Sequence, residues 1–128
     1  MPRTVVVIPT YNERENIQRV VPEVLSAVPC EVVVVDDESP DGTAAVVAEM
    51  AARDPRIHLV NHRPKLGIGP AYKAGFVAAL ALDAELIVQM DADLSHPPEM
   101  LPQLVGLAAD SDLVLGSRGL ARGYFRKQ

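Results

Sequence analysis

Residues 86–99 read LIVQMDADLSHPPE, an apolar run followed by two carboxylates one residue apart and then by the start of a helix. An apolar run such as 86–90 is typical of a strand that is buried on both faces. Such strands end at the rim of a parallel sheet, where open α/β folds bind ligands. A turn after the strand can bring Asp91 and Asp93 toward one Mg²⁺ or Mn²⁺, whose shell a substrate diphosphate would complete. Two solvated loop acids are the alternative interpretation of the same pair, and the rest of the chain has to separate the two.

The composition predicts one globular domain that does not bind nucleic acid. The chain has 128 residues, of which 48% are hydrophobic and 23% charged. Its net charge of -5 argues against a general nucleic-acid binder, because binding a phosphate backbone requires a basic face. Cys30 is the single cysteine of the sequence and cannot form an internal disulfide, which fits a reducing compartment. We find no signal peptide pattern and no run of about 18 apolar residues that would span a membrane.

Strand and helix patterns alternate along the chain. The predicted strands are 4–8, 31–35, 57–60, 85–90 and 112–116. Helical patterns separate them, with no hairpin turn between adjacent strands, so we expect a parallel, doubly wound α/β sheet with helices on both faces. Gly75, inside the third helical pattern, indicates close packing of that helix on the sheet. Residues 119–128 show neither the helical nor the strand periodicity of apolar residues. They are predicted to be a tail that follows a domain of residues 1–118, truncated after the fifth strand.

Two polar residues have local interpretations as helix caps. Asn12 followed by Glu15 resembles a capping box at the start of the first helix. Asp41, in a turn-forming segment with Pro40 and Gly42, is better explained as a turn or helix-cap residue than as a ligand-binding residue.

The polar clusters of the chain follow the predicted strands. In a parallel sheet all carboxyl ends lie on the same edge, and the segments after the five strands are 9–13, 36–37, 62–65, 91–93 and 117–118. This asymmetry predicts a ligand site at that edge. Its acids would repel one another without a cation or hydrogen-bond donors. Lys65 and Arg118 could bind an anionic group that bridges to the metal, as in a nucleotide sugar.

Four motifs carry a resemblance to a known family: VIPTYNEREN at 7–16, VDDESPDGT at 35–43, LGIGPAY at 66–72 and MDADLSHP at 90–97. They resemble inverting glycosyltransferase family 2 and, within it, the dolichol-phosphate mannosyltransferases, also called polyprenol monophosphomannose synthases. The resemblance covers the donor-binding part of these enzymes. It implies a GT-A (Rossmann-like) fold, GDP-mannose as donor, a polyprenyl phosphate as acceptor, and Mg²⁺ or Mn²⁺.

The resemblance also implies a set of donor-binding residues: Pro9, Tyr11, Glu13, Val35, Asp37, Asp91, Ala92, Asp93 and Arg118. Within this set Asp37 would lie near the base or ribose. Asp91 and Asp93 would reach the diphosphate through the metal, with Ser95 as a weaker further ligand. Together with Arg118, which matches an arginine at the donor or acceptor phosphate, these two aspartates are the residues implied in catalysis.

The implied activity is an inverting transfer of mannose from GDP-mannose to a polyprenyl phosphate. Two alternatives remain open: a nucleotide-sugar-binding fragment without turnover, and a family 2 enzyme with another donor and acceptor. Glu38 departs from the family, which commonly has a small residue there. Because most of the acceptor half is missing after Arg118, a second chain could complete it. The resemblance further implies a cytoplasmic protein in peripheral contact with the inner face of a membrane.

Overall fold

The computed structural model describes residues 3–62, 68–92, 101–108, 113–115 and 122–125. Within these ranges the elements follow the order β1 (Thr4–Thr10), α1 (Arg14–Ala27), β2 (Glu31–Asp36), α2 (Thr43–Arg53), β3 (Ile57–Asn61), α3 (Ile68–Ala81), β4 (Leu86–Gln89), α4 (Leu101–Ala108), β5 (Leu113–Leu115) and β6 (Arg122–Phe125). None of the helices in the described ranges is both long and apolar enough to cross a membrane.

The strands form one sheet in the order β3-β2-β1-β4-β6-β5. Strand β1 pairs in parallel with β2 and β4, and β2 pairs in parallel with β3. The predicted mostly parallel α/β sheet is therefore confirmed. The chain runs outward from β1 to β3 and then returns to the other side of β1, so the order reverses between β1 and β4. Such a reversal opens a crevice at the carboxyl ends of the strands.

Alternate strand residues build two cores, one on each face of the sheet. Val6 and Ile8 of β1 face the core that contains α1, α2 and α4, whereas Val5 and Val7 face the core that contains α3. Because side chains alternate along a strand, a continuous run of β-branched residues can supply both cores. The helices therefore lie on both faces, as predicted.

Helix α3 lies close to the sheet at Gly75, as its sequence position predicted. A Cβ added at Gly75 would stand 2.4 Å from Cγ1 of Val7 and 3.1 Å from Cγ2 of Val35. These separations leave no room for a side chain, so the glycine sets the distance between α3 and the strands β1 and β2.

The segment predicted as a tail contains a strand of the sheet. Residues Arg122–Phe125 form β6, which pairs antiparallel with β4 on one side and with β5 on the other. The prediction that residues 119–128 form a tail is therefore wrong for Arg122–Phe125, which add a sixth strand to the sheet. A strand of four residues is too short to show a period, and its partner is the unpaired edge of β4, whose backbone groups need hydrogen bonds. Strand β5 runs in the same direction as β1 to β4, and only β6 runs against them.

Candidate functional site

Four neighbouring strands bring polar residues to one edge of the sheet, here called the carboxyl edge. Across the sheet His62, Asp37 and Tyr11 directly follow β3, β2 and β1, and Asp91 follows β4 after Met90. Adjacent strands lie about 4.8 Å apart, so the strands that carry Asp37 and Asp91 are about 10 Å apart with β1 between them. The predicted convergence of the carboxyl ends is therefore confirmed for these four strands, because they pair in parallel.

Asp36 is wholly buried and holds two loops together. Its Oδ1 accepts hydrogen bonds from Thr10 Oγ1 at 2.7 Å and from Ser39 Oγ at 2.6 Å, and its Oδ2 accepts one from the Ser39 backbone N–H at 3.0 Å. Buried carboxylates require such donors because desolvation otherwise disfavours the charge. Asp36 is therefore a structural residue that fixes the end of β1 to the loop after β2.

Asp37, the next residue, is in contrast partly exposed. Its backbone N–H donates to the Thr10 carbonyl oxygen at 3.0 Å, while its side chain stays 26% exposed. Nδ1 of His62 stands 3.3 Å from Asp37 Oδ1, and the His62 backbone N–H donates to the Asp36 carbonyl oxygen at 2.8 Å. Among the described residues no hydrogen bond to Asp37 Oδ2 is found.

The start of α1 is capped by side chains from the segment after β2 and not by residues of α1 itself. The backbone N–H groups of Asn12, Glu13 and Arg14 donate, in that order, to Ser39 Oγ (2.9 Å), Thr43 Oγ1 (3.2 Å) and Asp41 Oδ2 (3.1 Å). The expected capping box is wrong, because the helix begins at Arg14 and Asn12 lies in the left-handed region with φ of 54°. Side chains of the 37–43 loop thus hold the backbone that presents Tyr11 and Glu13.

Asp41 is confirmed as a capping residue. Besides the Arg14 N–H it accepts hydrogen bonds from the backbone N–H of Thr43 at 3.0 Å and from the Thr43 hydroxyl. The Thr43 hydroxyl, followed by the two backbone N–H groups, holds the pKa of Asp41 below its ordinary value, since hydrogen bonds to a carboxylate favour the charged form.

The other predicted donor residues differ in what they can offer. Tyr11 is 56% exposed at the edge, and Pro9 is half-buried. Oε2 of Glu13 accepts a hydrogen bond from Asn16 Nδ2 at 2.9 Å, so this carboxylate is oriented locally by the first turn of α1. Val35 and Ala92 point their side chains into the cores, with 0% and 2% exposure. These two can meet a ligand only through their backbones.

The proposed metal site is described only at Asp91. The Met90 backbone N–H donates to the Val7 carbonyl oxygen at 3.1 Å, so the main chain stays attached to β1 up to the residue before Asp91. Asp91 is half-buried, and its carboxylate is the ligand type that Mg²⁺ and Mn²⁺ prefer. Within the described ranges no group of three His, Cys, Asp or Glu residues stands ready for a metal. Other predicted residues lie outside the described ranges: Asp93, Ser95, Arg118 and Lys65.

The contacts of two residues at this edge, His62 and Thr43, are not predictable from the sequence. His62 begins the 62–65 segment of the predicted edge and lacks ligand spacing to another histidine, and the structure places it against the carboxylate predicted to bind the nucleoside. Its position directly after a predicted strand is the sequence signal for a place at this edge. Thr43 follows a turn-forming segment, and its buried hydroxyl accepts a hydrogen bond from the Glu13 backbone N–H in the β1–α1 loop.

Comparison with known proteins assigns the chain to a protein family. The model of "Glycosyl transferase family 2" matches residues 5–126, and the chain belongs to this family. Over 127 residues it is 47% identical to a polyprenol monophosphomannose synthase of Mycolicibacterium smegmatis, with 97% of this chain and 48% of the relative covered. Over 122 residues it is 44% identical to an undecaprenyl-phosphate mannosyltransferase of Micrococcus luteus, with 94% and 50% covered.

A solved structure supports the same fold. The mannosyltransferase PcManGT from Pyrobaculum calidifontis, in complex with GDP-Man and Mn²⁺, superimposes with a TM-score of 0.75 at 25% identity and covers 98% of this chain and 45% of its own. The fold is therefore of the GT-A type expected for the family. The chain spans about half the length of the curated relatives it matches.

Proposed function

We propose that this chain forms the donor-binding part of an inverting mannosyltransferase, which transfers mannose from GDP-mannose to a polyprenyl phosphate. The observation that carries the proposal is the placement of Asp37 and Asp91 just beyond the strands that flank β1, at the edge where the strand order reverses. Relatives named as polyprenyl-phosphate mannosyltransferases, at 44–47% identity, support the choice of sugar and acceptor.

The proposed residue roles follow the order of the strands across the edge. Asp37 and the backbone of Val35, both at the end of β2, would contact the guanosine, with Pro9, Tyr11 and Glu13 lining its pocket. Asp91, with Asp93 and Ser95, would hold Mg²⁺ or Mn²⁺, and Arg118 would bind a donor or acceptor phosphate. When bound, the cation would supply positive charge to the diphosphate leaving group.

The chemistry needs no general base from this chain. A polyprenyl phosphate is already an anion near neutral pH, so its oxygen can attack the anomeric carbon directly as the bond to the diphosphate breaks. One such displacement inverts the configuration and gives a β-linked product. The difficult step is the departure of the nucleoside diphosphate, whose developing negative charge the site has to stabilise. Asp91 and Asp93 therefore act electrostatically and are not assigned as an acid or a base.

The nature of the acceptor determines the remaining proposals. A polyprenyl phosphate is a lipid, so the reaction would take place in peripheral contact with the cytoplasmic face of a membrane. Groups that bind the lipid would come from outside the described residues, and a second chain is one source. Co-sedimentation with vesicles that contain polyprenyl phosphate, with and without GDP, tests this contact.

Calorimetric titration of GDP and GDP-mannose tests the donor site. We expect binding in the presence of Mn²⁺ and its loss with a chelator. Asp91→Asn should weaken metal-dependent binding by about 10- to 100-fold, because hydrogen bonds and contacts to charged groups contribute about 1.5–3 kcal/mol. Asp93→Ala should act in the same direction.

Asp83→Asn is the matched control. Asp83 lies before β4 at the opposite end of the strand and adopts φ of 61°, a conformation that asparagine tolerates. Equal losses in Asp83→Asn and Asp91→Asn would contradict a site at the carboxyl edge. With binding established, formation of mannosyl lipid from polyprenyl phosphate tests turnover, and a folded chain that binds GDP-mannose without product would limit the function to donor binding.

A further inference from the structure

His62 stands at the nucleoside end of the proposed site without an assigned role. We propose that His62 is a positioning residue for donor recognition: by donating from Nδ1 to Oδ1 of Asp37, it fixes this carboxylate and leaves Oδ2 for a hydroxyl or N–H group of the nucleoside. The inference rests on the proposed function, because it takes Asp37 as the residue that meets the base or ribose.

The backbones of both residues are anchored to the sheet. The His62 N–H donates to the Asp36 carbonyl oxygen at 2.8 Å, and the Asp37 N–H donates to the Thr10 carbonyl oxygen at 3.0 Å. The two side chains therefore start from fixed positions on neighbouring strands. A ring that is only 10% exposed has little freedom to leave the 3.3 Å contact with Asp37.

The chemistry of the pair fixes its direction. A carboxylate only accepts hydrogen bonds, so the contact requires the proton on Nδ1 of His62. One oxygen of Asp37 is then occupied, and rotation of the carboxylate is restricted. A binding group that is already oriented loses less conformational entropy when the ligand arrives, which raises affinity without a new ligand contact.

A second histidine on the same strand provides the control. Nε2 of His58 lies 3.0 Å from Oε1 of Glu31, so it also pairs with a carboxylate of β2. His58 precedes His62 by four residues, and a rise of about 3.3 Å per residue places it about 13 Å away, toward the opposite edge. Loss of either pair costs a similar contact, but only the His62 pair involves the carboxylate proposed to bind the nucleoside.

The experiment is a calorimetric titration of GDP in the presence of Mn²⁺ on the full chain and its variants. His62→Leu should raise the Kd for GDP by about 3- to 10-fold, the range expected for the loss of one hydrogen bond. His62→Asn should restore most of the affinity, because the asparagine amide nitrogen can take the place of Nδ1, whereas the longer His62→Gln should not. His58→Leu should change the melting temperature and leave the Kd for GDP within about 2-fold, below the effect of one hydrogen bond.

A double-mutant cycle separates positioning from general stability. In an Asp37→Ala background, His62→Leu should add no further loss of GDP affinity, because the carboxylate that it orients is absent. Additive losses, or equal losses in His62→Leu and His58→Leu, would overturn the inference while GDP binding by the wild type preserves the proposed function. A folded wild type that binds no GDP would reject both. If His62→Leu does not fold, the comparison of His62→Asn with His62→Gln decides, and equal affinities of these two variants overturn the inference.

Discussion

The carboxyl edge, where the parallel strands end, and the amino edge, where they begin, use the same residue types in different ways. At the amino edge, Glu31 pairs with both the Arg3 guanidinium at 3.2 Å and the His58 ring at 3.0 Å, and Glu85 accepts a hydrogen bond from the Arg3 backbone at 3.0 Å. At the carboxyl edge, hydroxyl groups, backbone N–H groups and one imidazole surround Asp36 and Asp37. Within the described residues no lysine or arginine forms an ion pair with these two aspartates.

Two aspartates show the same contrast in their titration. The pKa of Asp54, before β3 at the amino edge, is lowered chiefly by the hydrogen bond from the Arg56 side chain. The pKa of Asp41, at the carboxyl edge, is lowered chiefly by the neutral Thr43 hydroxyl. Arginine side chains therefore pair with carboxylates at the amino edge, whereas the largest lowering of the Asp41 pKa comes from a neutral hydroxyl.

The test with the largest expected effect is the substitution Asp36→Ala. The change removes the acceptor of both Ser39 donors and the shorter hydrogen bond of the Thr10 hydroxyl, which keeps only the Val35 carbonyl oxygen at 3.5 Å, so we expect a loss of about 3 kcal/mol in the free energy of unfolding. Urea denaturation measures it, with Asp37→Ala as a control that should lose less than about 1 kcal/mol because its side chain is partly exposed. An Asp36→Ala variant as stable as the wild type would show that the desolvation of the buried carboxylate offsets its hydrogen bonds.

A second test changes the packing beneath the carboxyl edge. Gly75→Ala should destabilise the chain by about 2 kcal/mol, because the new Cβ would overlap Val7 and press on Val35. Gly106→Ala makes the same change in α4, where nothing lies within 4 Å of an added Cβ, and should stabilise by about 0.5–1 kcal/mol through helix propensity. Thermal unfolding compares the two. A neutral Gly75→Ala variant would mean that α3 can move away from the sheet at no cost.

A third test concerns backbone strain at Glu38, which has φ of 51°. Glu38→Gly should stabilise by up to about 1 kcal/mol, since a side chain is unfavourable in the left-handed region, and should strengthen GDP binding by removing a negative charge. Asp83→Gly relieves the same kind of strain at the amino edge, where φ is 61°, and should leave GDP affinity unchanged. Equal gains in affinity from both variants would contradict the distinction between the edges.

The smallest expected effect is at the amino edge itself. The Arg3 side chain is 54% exposed in its pair with Glu31, so Arg3→Ala should cost no more than about 1 kcal/mol. Its effect should shrink at high salt, which screens exposed pairs. Chemical denaturation at two salt concentrations measures this, and the Kd for GDP should remain that of the wild type. Weaker GDP binding in Arg3→Ala would show that the amino edge influences the site.

The sheet could be predicted from local patterns, whereas the end of the chain could not. Runs of β-branched residues bounded by turn residues identify β1 to β4, because a strand buried on both faces is apolar throughout. Strand β6 has four residues and no readable period, and its partner β4 lies more than 30 residues earlier. Pairing between distant segments depends on which edge remains open after the rest of the sheet has formed.

The candidate site likewise has features that local sequence patterns predict and features that they do not. Local sequence patterns identify the residues that follow the strands, and the parallel strand order brings Asp37, Tyr11 and Asp91 to one edge. Local patterns do not reveal that Asp36 is buried while Asp37 is partly exposed, because Asp36 ends β2 against the Thr10 and Ser39 side chains whereas Asp37 lies beyond the strand. Only the tertiary structure decided that Ser39, Thr43 and Asp41 cap α1 from another loop, and that His62 contacts Asp37. Hydrogen bonds between loops depend on the distance and direction of groups far apart in the chain, which residue spacing does not encode.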